Sequence, residues 1–347
     1  MRKKILWGIL LLGVIGGVFA YYMYAKIMAP NVPENLENNV VVIPTNSSFK
    51  EVVQTLHANN QILDTASFRE VSEMMSYKKH NMRAGRYKIT PSWSNRSLIR
   101  HLRGGKQEPV NVVLTHGWLL EDVAAKAAQF IEADSTDLMT LFSNDNYIKE
   151  YGYTHETLMS LFIPNTYEFY WNTDEETFFE RMIKEHDRFW KSNDRLAKAE
   201  KLGMTPQEVY TLASIVEREI SKDAEKRRVA GLYLNRIRVG MKLDADPTAK
   251  FATRDFKATR VLYRHIRFDS PYNTYLHKGL PPGPISMASI KSIDAVLDSE
   301  KHNFYYMCVD PENLGYHVFA ESIQEHNRNA NRYHRWLDKF ERENKKK

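Results

Sequence analysis

Two glutamates stand at the end of an apolar segment, residues 212–219, which reads LASIVERE. A helix that only had to pack would gain nothing from a carboxylate in such a segment. Burial raises the pKa of a carboxyl group toward neutrality, and a pKa near neutrality suits a general acid. The segment therefore predicts acid–base chemistry at Glu217 or Glu219.

Helical periodicity does not separate the two glutamates. At about 100° per residue, Glu217 lies roughly 85° to one side of the apolar stripe and Glu219 roughly 75° to the other. Both therefore fall at the border between core and cleft. A structural glutamate paired with Arg218, Arg227 or Arg228 fits the pattern too. The stripe consists of Val209, Leu212, Ala213, Val216 and Ile220.

A loop-rich stretch, residues 240–286, carries polar groups of the kind that hold sugars. Asp244 and Asp246 share one turn, and Asp246 precedes a proline, which favours an extended backbone. Residues 270–275 (SPYNTY) bring an amide, hydroxyls and aromatic rings together, and residues 280–285 (LPPGPI) form a stiff wall. A stretch this long is a natural place for a binding cleft. An ordinary ordered loop is the alternative.

Other chemistries find little support in the sequence. His317, His326 and His334 are spaced too widely for a helical metal-binding pair, and His317 is expected in a strand. Neither an HExxH nor a CxxC motif occurs, nor a nucleophile elbow, a Walker loop or a dinucleotide fingerprint. The single cysteine, Cys308, excludes an internal disulfide framework. The sequence predicts neither a metal nor a cofactor.

The elements around the glutamates can be assigned from capping signals. Residues 205–208 (TPQE) form a capping box with proline at the first helical position, so a helix is predicted from there to about Ile220. A second helix is predicted from about Asp223 to Val239, ending at Gly240. Two strands, 304–309 and 316–319, and a polar helix from about Ser322 follow. The fold class is α+β.

Ahead of this region, a strand, a polar turn and a helix recur three times. The three pairs predict a βααβ module followed by the opening of a second domain, with the boundary near residues 104–106. A structural spacer is the alternative. The strands are predicted at 40–43, 87–89 and 110–114, and the helices at 49–58, 96–103 and 120–131.

The N-terminus predicts a membrane anchor. Three basic residues precede an uncharged stretch, residues 5–25, that is long enough to span the roughly 30 Å core of a bilayer. A cleaved signal peptide ending at residues 18–20 is the alternative, although its apolar region would be shorter. Either interpretation exports the rest of the chain, because the basic flank stays in the cytoplasm.

The net charge of +6 does not indicate a nucleic-acid partner. Arg2, Lys3 and Lys4 supply three positive charges, and the last three lysines supply three more. The body between them is close to neutral, so no basic face is expected.

Several sequence motifs, taken together, resemble those of the YceG-like family, the membrane-anchored endolytic murein transglycosylases also called the MltG family. They occur in the family's order and spacing: LASIVERE (212–219), LYLNRIRVGMKLDADPT (232–248), SPYNTY (270–275), GLPPGPI (279–285) and YHVFAESIQEHN (316–327). The resemblance covers nearly the whole chain. It implies a transmembrane helix, a small LysM-like module and a mixed α+β catalytic domain.

The resemblance also implies a substrate and a catalytic residue. The family's catalytic glutamate follows the Ala-Ser-Ile-Val string and maps to Glu217. The implied substrate is the peptidoglycan glycan strand, which is cut inside the chain between N-acetylmuramic acid and N-acetylglucosamine during cell-wall assembly and chain termination. The motif positions expected to line the cleft are Asn235, Asp246, Thr248, Tyr272, Asn273, Tyr275 and His317.

The chain departs from the family pattern in one place. The family commonly has a Glu-Gly pair before an aromatic-Pro-Asp-Thr-Tyr string. Here Met159 and Ser160 replace the usual residues, and Asn165 stands where aspartate is usual. Because this chain lacks the family's acidic residues at these positions, a role for carboxylates there is in doubt. The assignment of Glu217 is not affected.

One carboxylate is enough for the implied chemistry. Neutral Glu217 would protonate the leaving oxygen, and the C6 hydroxyl of the muramic acid would close on C1 to give a 1,6-anhydro end. Ordinary glycoside hydrolases need two carboxylates, so a muramidase-type hydrolase using Asp246 or Asp244 is one alternative. A membrane-tethered, non-catalytic glycan-binding scaffold is another. The resemblance and the anchor also imply partnership with cell-wall synthases.

The expected organisation follows from these predictions. It has a single pass through the inner (cytoplasmic) membrane and a periplasmic catalytic body. The segments are a cytoplasmic N-terminus (1–4), the anchor (5–25), a linker (26–39), the LysM-like module (40–106), the YceG-like catalytic domain (107–340) and a basic tail (341–347).

Overall fold

The structure, a computed structural model, describes residues 2–79 and 82–344. Met1 of the predicted cytoplasmic segment and residues 345–347 of the predicted basic tail lie outside the described residues. The chain divides into two compact units. The first takes the described residues up to Asn111 together with Phe130–Ala133 and Glu168–Asp174. The second takes Val112–Gln129, Asp134–Tyr167 and the described residues from Glu175 onward.

The described elements follow the chain in this order: α1 (Arg2–Met28), β1 (Val40–Ile43), α2 (Phe49–Ala58), α3 (Thr65–Met74), β2 (Gly85–Lys88), α4 (Asn95–Gly104), β3 (Val110–Leu114), α5 (Leu120–Ala127), α6 (Ser135–Phe142), α7 (Asp145–Glu150), a 3₁₀ helix (Leu158–Leu161), β4 (Asn165–Phe169), α8 (Glu175–Lys191), α9 (Arg195–Leu202), α10 (Pro206–Glu219), α11 (Asp223–Arg238), α12 (Asp246–Thr253), α13 (Tyr263–Ile266), α14 (Ile290–Leu297), β5 (Tyr306–Val309), β6 (His317–Ala320) and α15 (Ile323–Asn344). The strands pair as β1 with β2, β3 with β4 and β5 with β6. The architecture is mixed α+β.

The N-terminal helix is long and apolar enough to cross a bilayer. Its candidate span, Lys4–Met28, has a mean hydropathy of 2.0, and helix α1 continues to Met28, three residues past the predicted end. The residues that follow are packed into the first unit. The backbone N–H of Asn31 donates to the carbonyl of Trp93 (2.9 Å), and Val32 is buried. A single apolar N-terminal helix is compatible with a single-pass membrane anchor.

The first unit has the predicted β-α-α-β order. Strands β1 and β2 are antiparallel, with Val40 opposite Lys88 and Ile43 opposite Gly85. Helix α2 begins with a capping box, in which Ser48 and Glu51 satisfy each other's backbone N–H groups. Apolar side chains of both strands and of α2, α3 and α4 share one core. The strand at 87–89 was predicted two residues late, since β2 begins at Gly85.

Helix α10 lies at the centre of the second unit. Its predicted start is confirmed: Thr205 is the N-cap, and Pro206 occupies the first turn. Every residue from Val209 to Val216 is buried, so burial is not confined to the predicted stripe. The helix packs against α9, α11, α12 and α14 within one core. Such a helix reaches a border only at its last turn, where Glu217 and Glu219 lie.

The stretch 240–286 contains helices α12 and α13, which were not predicted from the sequence. The extended backbone predicted for Asp246 is wrong, because Asp246 begins helix α12 with proline in the first turn. Proline fits the start of a helix, since its missing N–H needs no partner there. The Thr248 hydroxyl donates to the carbonyl of Ala245 (2.7 Å) and fixes this turn.

Candidate active site

One face of helix α10 positions the chain segment that leads into helix α14. Tyr210, Ser214 and Glu217 lie at positions i, i+4 and i+7, which share a helix face. The Ser214 hydroxyl accepts a hydrogen bond from the backbone N–H of Ile285 (3.0 Å). The Tyr210 hydroxyl accepts one from the backbone N–H of Ala288 (3.1 Å). Two buried side chains of α10 therefore place the start of helix α14 beside Glu217.

Three donors hold one oxygen of the Glu217 carboxylate. The hydroxyls of Ser289 and Ser292 each donate to Oε2 at 2.5 Å, and Nζ of Lys226 donates to the same atom at 3.1 Å. Ser289 is the N-cap of α14, so the carboxylate also faces the positive end of a helix dipole. No hydrogen bond from a described residue reaches Oε1. The arrangement fixes the carboxylate and leaves one oxygen for a substrate.

This environment changes the expected protonation state of Glu217. Burial raises the pKa of the carboxyl group, but the hydrogen bonds from Ser289 and Ser292 and the charge of Lys226 outweigh it. The pKa of Glu217 is therefore lowered from its usual value. The raised pKa that we predicted from burial is not found in the free protein, where Glu217 is ionised at neutral pH.

Lys226 is the charged member of this set. Its side chain is only 6% exposed and also pairs with Asp223 at 3.1 Å. A buried ammonium group beside a carboxylate favours the ionised carboxylate.

Replacing Lys226 with methionine is expected to raise the pKa of Glu217. If activity requires protonated Glu217, the activity must fall as the pH rises through that pKa. The Lys226→Met variant should therefore lose activity at a higher pH than the wild type. Lys198→Met serves as the control, because Lys198 pairs with Asp298 and not with Glu217. Initial rates across the pH range measure the shift, and superimposable profiles for the two variants would contradict the assignment.

Glu219, on the other side of α10, lines a separate cavity of about 250 Å³. We refer to it as the Glu219 cavity. Burial raises the pKa of Glu219 to about 7, and the nearby negative charge of Asp246 adds to the shift. The cavity is lined by Glu219, Leu232, Tyr233, Arg236, Leu243, Asp244, Asp246, Tyr275, Met307, Cys308, Val309 and His317.

Three of the predicted substrate-binding residues meet at the Glu219 cavity. The hydroxyl of Tyr275 donates to Oδ1 of Asp246 at 2.5 Å. His317 lies on strand β6, as predicted, and its Nδ1 is 2.9 Å from Oε2 of Glu225. The structure therefore brings Asp246, Tyr275 and His317 together, but around Glu219 and not around Glu217.

Three other predicted binding residues are engaged inside the protein. The amide of Asn235 donates to the carbonyl of His302 (2.7 Å), and the hydroxyl of Thr248 donates to a backbone carbonyl. The amide of Asn273 reaches three backbone carbonyls, including that of Phe268 at 2.8 Å. All three residues are buried. These hydrogen bonds hold the neighbouring segments in place, Asn235 also lines a cavity of about 750 Å³, and contact of the three residues with a glycan stays a prediction.

The predicted binding residue Tyr272 is only partly buried. Its ring packs against Phe251, with the centroids 4.8 Å apart. Part of the ring therefore stays available to a ligand.

Removing the ionisable group of Glu219 is expected to stabilise the protein at alkaline pH. The folded-state pKa of about 7 lies above the ordinary value of 4.5 for a glutamate, so the folded state binds the proton more tightly. Stability should then decrease as the pH rises between these values, by at most about 3 kcal/mol. Glu219→Gln should abolish this decrease and raise the melting temperature at pH 8 but not at pH 4. Thermal unfolding of the full chain in detergent tests this, and equal melting temperatures at pH 8 would contradict it.

The residues that depart from the family pattern form part of a packed wall. Met159 and Ser160 are buried in the 3₁₀ helix, and the Ser160 hydroxyl donates to the carbonyl of Thr157. Asn165 is exposed at the start of β4. The same wall accepts a hydrogen bond from the Tyr210 hydroxyl at the carbonyl of Phe162 (2.7 Å). Its visible role is to support α10.

Sequence reasoning missed the residues that contact Glu217 directly. Ser289 and Ser292 could have been noticed as an N-cap and the third helical residue before an apolar run, a position that favours a nearby carboxylate. No local sequence pattern around Lys226 indicated that it contacts Glu217. Trp118, which also escaped notice, stacks under the guanidinium of Arg218 at 4.0 Å.

The donor groups at the two sites do not form a metal centre. Within residues 2–79 and 82–344, no group of three or more His, Cys, Asp or Glu side chains is arranged to hold a metal ion. The functional groups at the two sites are single carboxyl groups, hydroxyls and an ammonium group.

Comparison with known proteins identifies related chains. A model of the YceG-like family matches residues 41–332. An endolytic murein transglycosylase of Bacillus subtilis (strain 168) is 28% identical over 339 residues, which span 92% of this chain and 91% of that protein. An endolytic murein transglycosylase of Streptococcus pneumoniae (strain D39) is 24% identical, and the match spans 91% of this chain and 62% of that protein. A crystal structure of a YceG-like protein from Listeria monocytogenes superimposes with a TM-score of 0.56 at 25% identity, covering 83% of this chain and 97% of that one.

Proposed function

The chain belongs to the YceG-like family, and we propose that it is an endolytic transglycosylase of peptidoglycan glycan strands. Relatives that are 24–28% identical over most of the chain carry that activity in their names. The observation that carries the proposal is the Glu217 carboxylate, held at Oε2 by two serines and a lysine and free at Oε1. A fixed carboxyl group with one open oxygen can give a proton to a glycosidic oxygen and take one back.

In this mechanism Glu217 serves as acid and then as base. Protonated Glu217 gives its proton to the oxygen between N-acetylmuramic acid and N-acetylglucosamine as the C1–O bond breaks. The C6 hydroxyl oxygen of the same muramic acid forms the new bond to C1, and its proton passes to the Glu217 carboxylate. The products are a 1,6-anhydro-muramoyl end and a free N-acetylglucosamine hydroxyl. Because the nucleophile belongs to the reacting sugar, no second reactant has to be captured.

The low pKa of Glu217 in the free protein sets a condition on this mechanism. A glycan that covers Oε1 would remove water from the carboxylate and disfavour its charged form. We therefore expect the pKa of Glu217 to be higher in the substrate complex than in the free protein. Since kcat reports the complex and kcat/KM the free protein, the two pH profiles should differ in that direction.

The location of the body is part of the proposal. The α1 helix would cross the cytoplasmic membrane once and place the body on the outer, periplasmic side. The β1-α2-α3-β2 arrangement supports a LysM-like module in the first unit, because its two helices pack with an antiparallel strand pair around one core. Cell-wall synthases are the expected partners of a glycan-cutting enzyme at this place.

Digestion of purified glycan strands tests the proposed function. The wild-type chain should shorten long strands by internal cuts and produce 1,6-anhydro ends. Reducing ends would instead favour a hydrolase in which Asp246 or Asp244 acts as the second carboxylate. Binding of strands without any new ends would establish a non-catalytic scaffold.

A further inference from the structure

A strongly basic surface surrounds the short helix α13. Residues 257–268 contain four basic side chains and no acidic one, which gives the segment a net charge of +4 with histidine neutral. All four basic side chains are exposed, and none of them lines the Glu219 cavity. The near-neutral charge of the body predicted no basic face, so this surface departs from that expectation. We refer to residues 257–268 as the α13 surface, and its basic residues are Lys257, Arg260, Arg264 and Arg267.

Large apolar side chains are exposed beside these cations. Tyr263 is 63% exposed, and Leu262 and Phe268 are each 45% exposed. The guanidinium of Arg267 lies over the ring of Tyr263, with its central carbon 3.9 Å from the ring centroid. Apolar side chains that are exposed as a group mark surfaces that bind another molecule or a membrane. The α13 surface therefore combines positive charge with apolar area.

Buried polar contacts hold the α13 surface in place from the inside. His265 is only 1% exposed, and its Nδ1 accepts a hydrogen bond from the backbone N–H of Leu262 (2.9 Å). The amide of Asn273 donates to the backbone carbonyls of His265, Ile266 and Phe268. The exposed side chains therefore stand on a fixed backbone, and binding does not have to order this segment first.

The neighbouring chain neutralises little of this charge. Asp255 is the one acidic residue among residues 251–268. Its carboxylate lies 3.2 Å from the guanidinium of Arg264 and 3.1 Å from the ring of His265. The basic side chain of Arg254 offsets Asp255, so residues 251–268 keep a net charge of +4. Such a surface favours an anionic partner.

We propose that the α13 surface binds the anionic headgroups of a phospholipid bilayer. Its cations attract a negatively charged leaflet, and Leu262, Tyr263 and Phe268 can enter the interfacial region, where aromatic rings are favoured. A dissolved polyanion would need the cations but not the exposed apolar side chains. Helix α1 supports this choice, because a chain that α1 holds in a bilayer has a high effective concentration near that membrane. The inference goes beyond the proposed function, since it does not require glycan cleavage.

Hydrogen–deuterium exchange of the full chain in bilayer discs tests the proposal. One set of discs contains phosphatidylcholine alone, and the other contains phosphatidylcholine with phosphatidylglycerol. One basic residue near an anionic surface strengthens binding about fivefold. The backbone amides of residues 257–268 should therefore exchange about fivefold or more slowly in the anionic discs. The double variant Lys257→Glu with Arg260→Glu should abolish this difference, and high salt should reduce it.

The matched control is Lys184→Glu with Lys301→Glu. It changes the charge by the same amount at two exposed lysines outside the α13 surface, so the difference between the discs should persist. Tyr263→Ser removes an apolar contact at constant charge and should reduce the difference. Equal exchange of the wild type in both discs would overturn the inference, as would a difference that survives Lys257→Glu with Arg260→Glu. Slower exchange only after addition of soluble polyphosphate would identify a dissolved polyanion as the partner and overturn the bilayer.

Discussion

Replacement of Glu217 by glutamine is expected to lower the rate of glycan cleavage by about 10²- to 10⁴-fold, the contribution typical of a positioned acid–base group. Glutamine has nearly the same shape and can still accept hydrogen bonds from Ser289 and Ser292. It cannot give up a proton at neutral pH. The fold should therefore persist while the proton transfer is lost, and initial rates on purified strands measure the effect.

The control for this variant is Glu208→Gln in the same helix. Glu208 caps the start of α10, and its carboxylate accepts the backbone N–H of Thr205 at 2.7 Å. Glutamine preserves a capping box, so Glu208→Gln should cleave strands at the wild-type rate. The assignment would be contradicted if Glu217→Gln kept full activity. A complete loss of cleavage in Glu219→Gln beside a fully active Glu217→Gln would instead identify Glu219 as the acid.

Replacement of Gly283 by alanine is expected to have the second largest effect. A Cβ atom at this position would lie 1.9 Å from the carbonyl oxygen of Glu156 and 2.6 Å from its carbonyl carbon. Both atoms belong to the backbone, so the segment that leads to Ser289 must move. Overpacking of this kind costs about 1–3 kcal/mol and occasionally more. We expect a lower free energy of unfolding together with a loss of cleavage activity.

Gly104→Ala is the matched control for Gly283→Ala. Gly104 lies in helix α4, and no heavy atom other than those of its chain neighbours and of the backbone of its own helix stands within 4 Å of an added Cβ. Alanine should be neutral or slightly stabilising there, because it has the higher helix propensity. Thermal unfolding of both variants and of the wild type gives the comparison. A Gly283→Ala protein as stable and as active as the wild type would show that the close approach to Glu156 does not position the site.

The elements with strong local signals could be predicted from the sequence. The capping box at residues 205–208 identified the start of α10, because proline and a capping pair act within one turn. Strand β1 and helix α2 were predicted at their observed bounds. Helix α12 was missed, because the preference of a residue before proline for extended backbone was outweighed by the hydroxyl contacts of the Thr248 turn.

The surroundings of Glu217 could not be predicted, because they come from distant parts of the chain. Ser289 and Ser292 are 72 and 75 residues away along the chain, and they reach Glu217 because Tyr210 and Ser214 hold the intervening segment. Their hydrogen bonds reversed the direction in which burial alone would move the pKa of Glu217. Burial can be inferred from a pattern of apolar residues, but the partners of a buried group cannot.

Cleavage in ¹⁸O-enriched water tests the central claim most directly. If the C6 hydroxyl of the muramic acid attacks C1, every new end should be lighter by one water molecule than a reducing end and should contain no ¹⁸O. Mass spectrometry of the products, after prompt reduction to prevent exchange at reducing ends, reads both properties at once. New ends that are reducing and carry one ¹⁸O atom would show that water is the nucleophile, and they would contradict the transglycosylase mechanism proposed for Glu217.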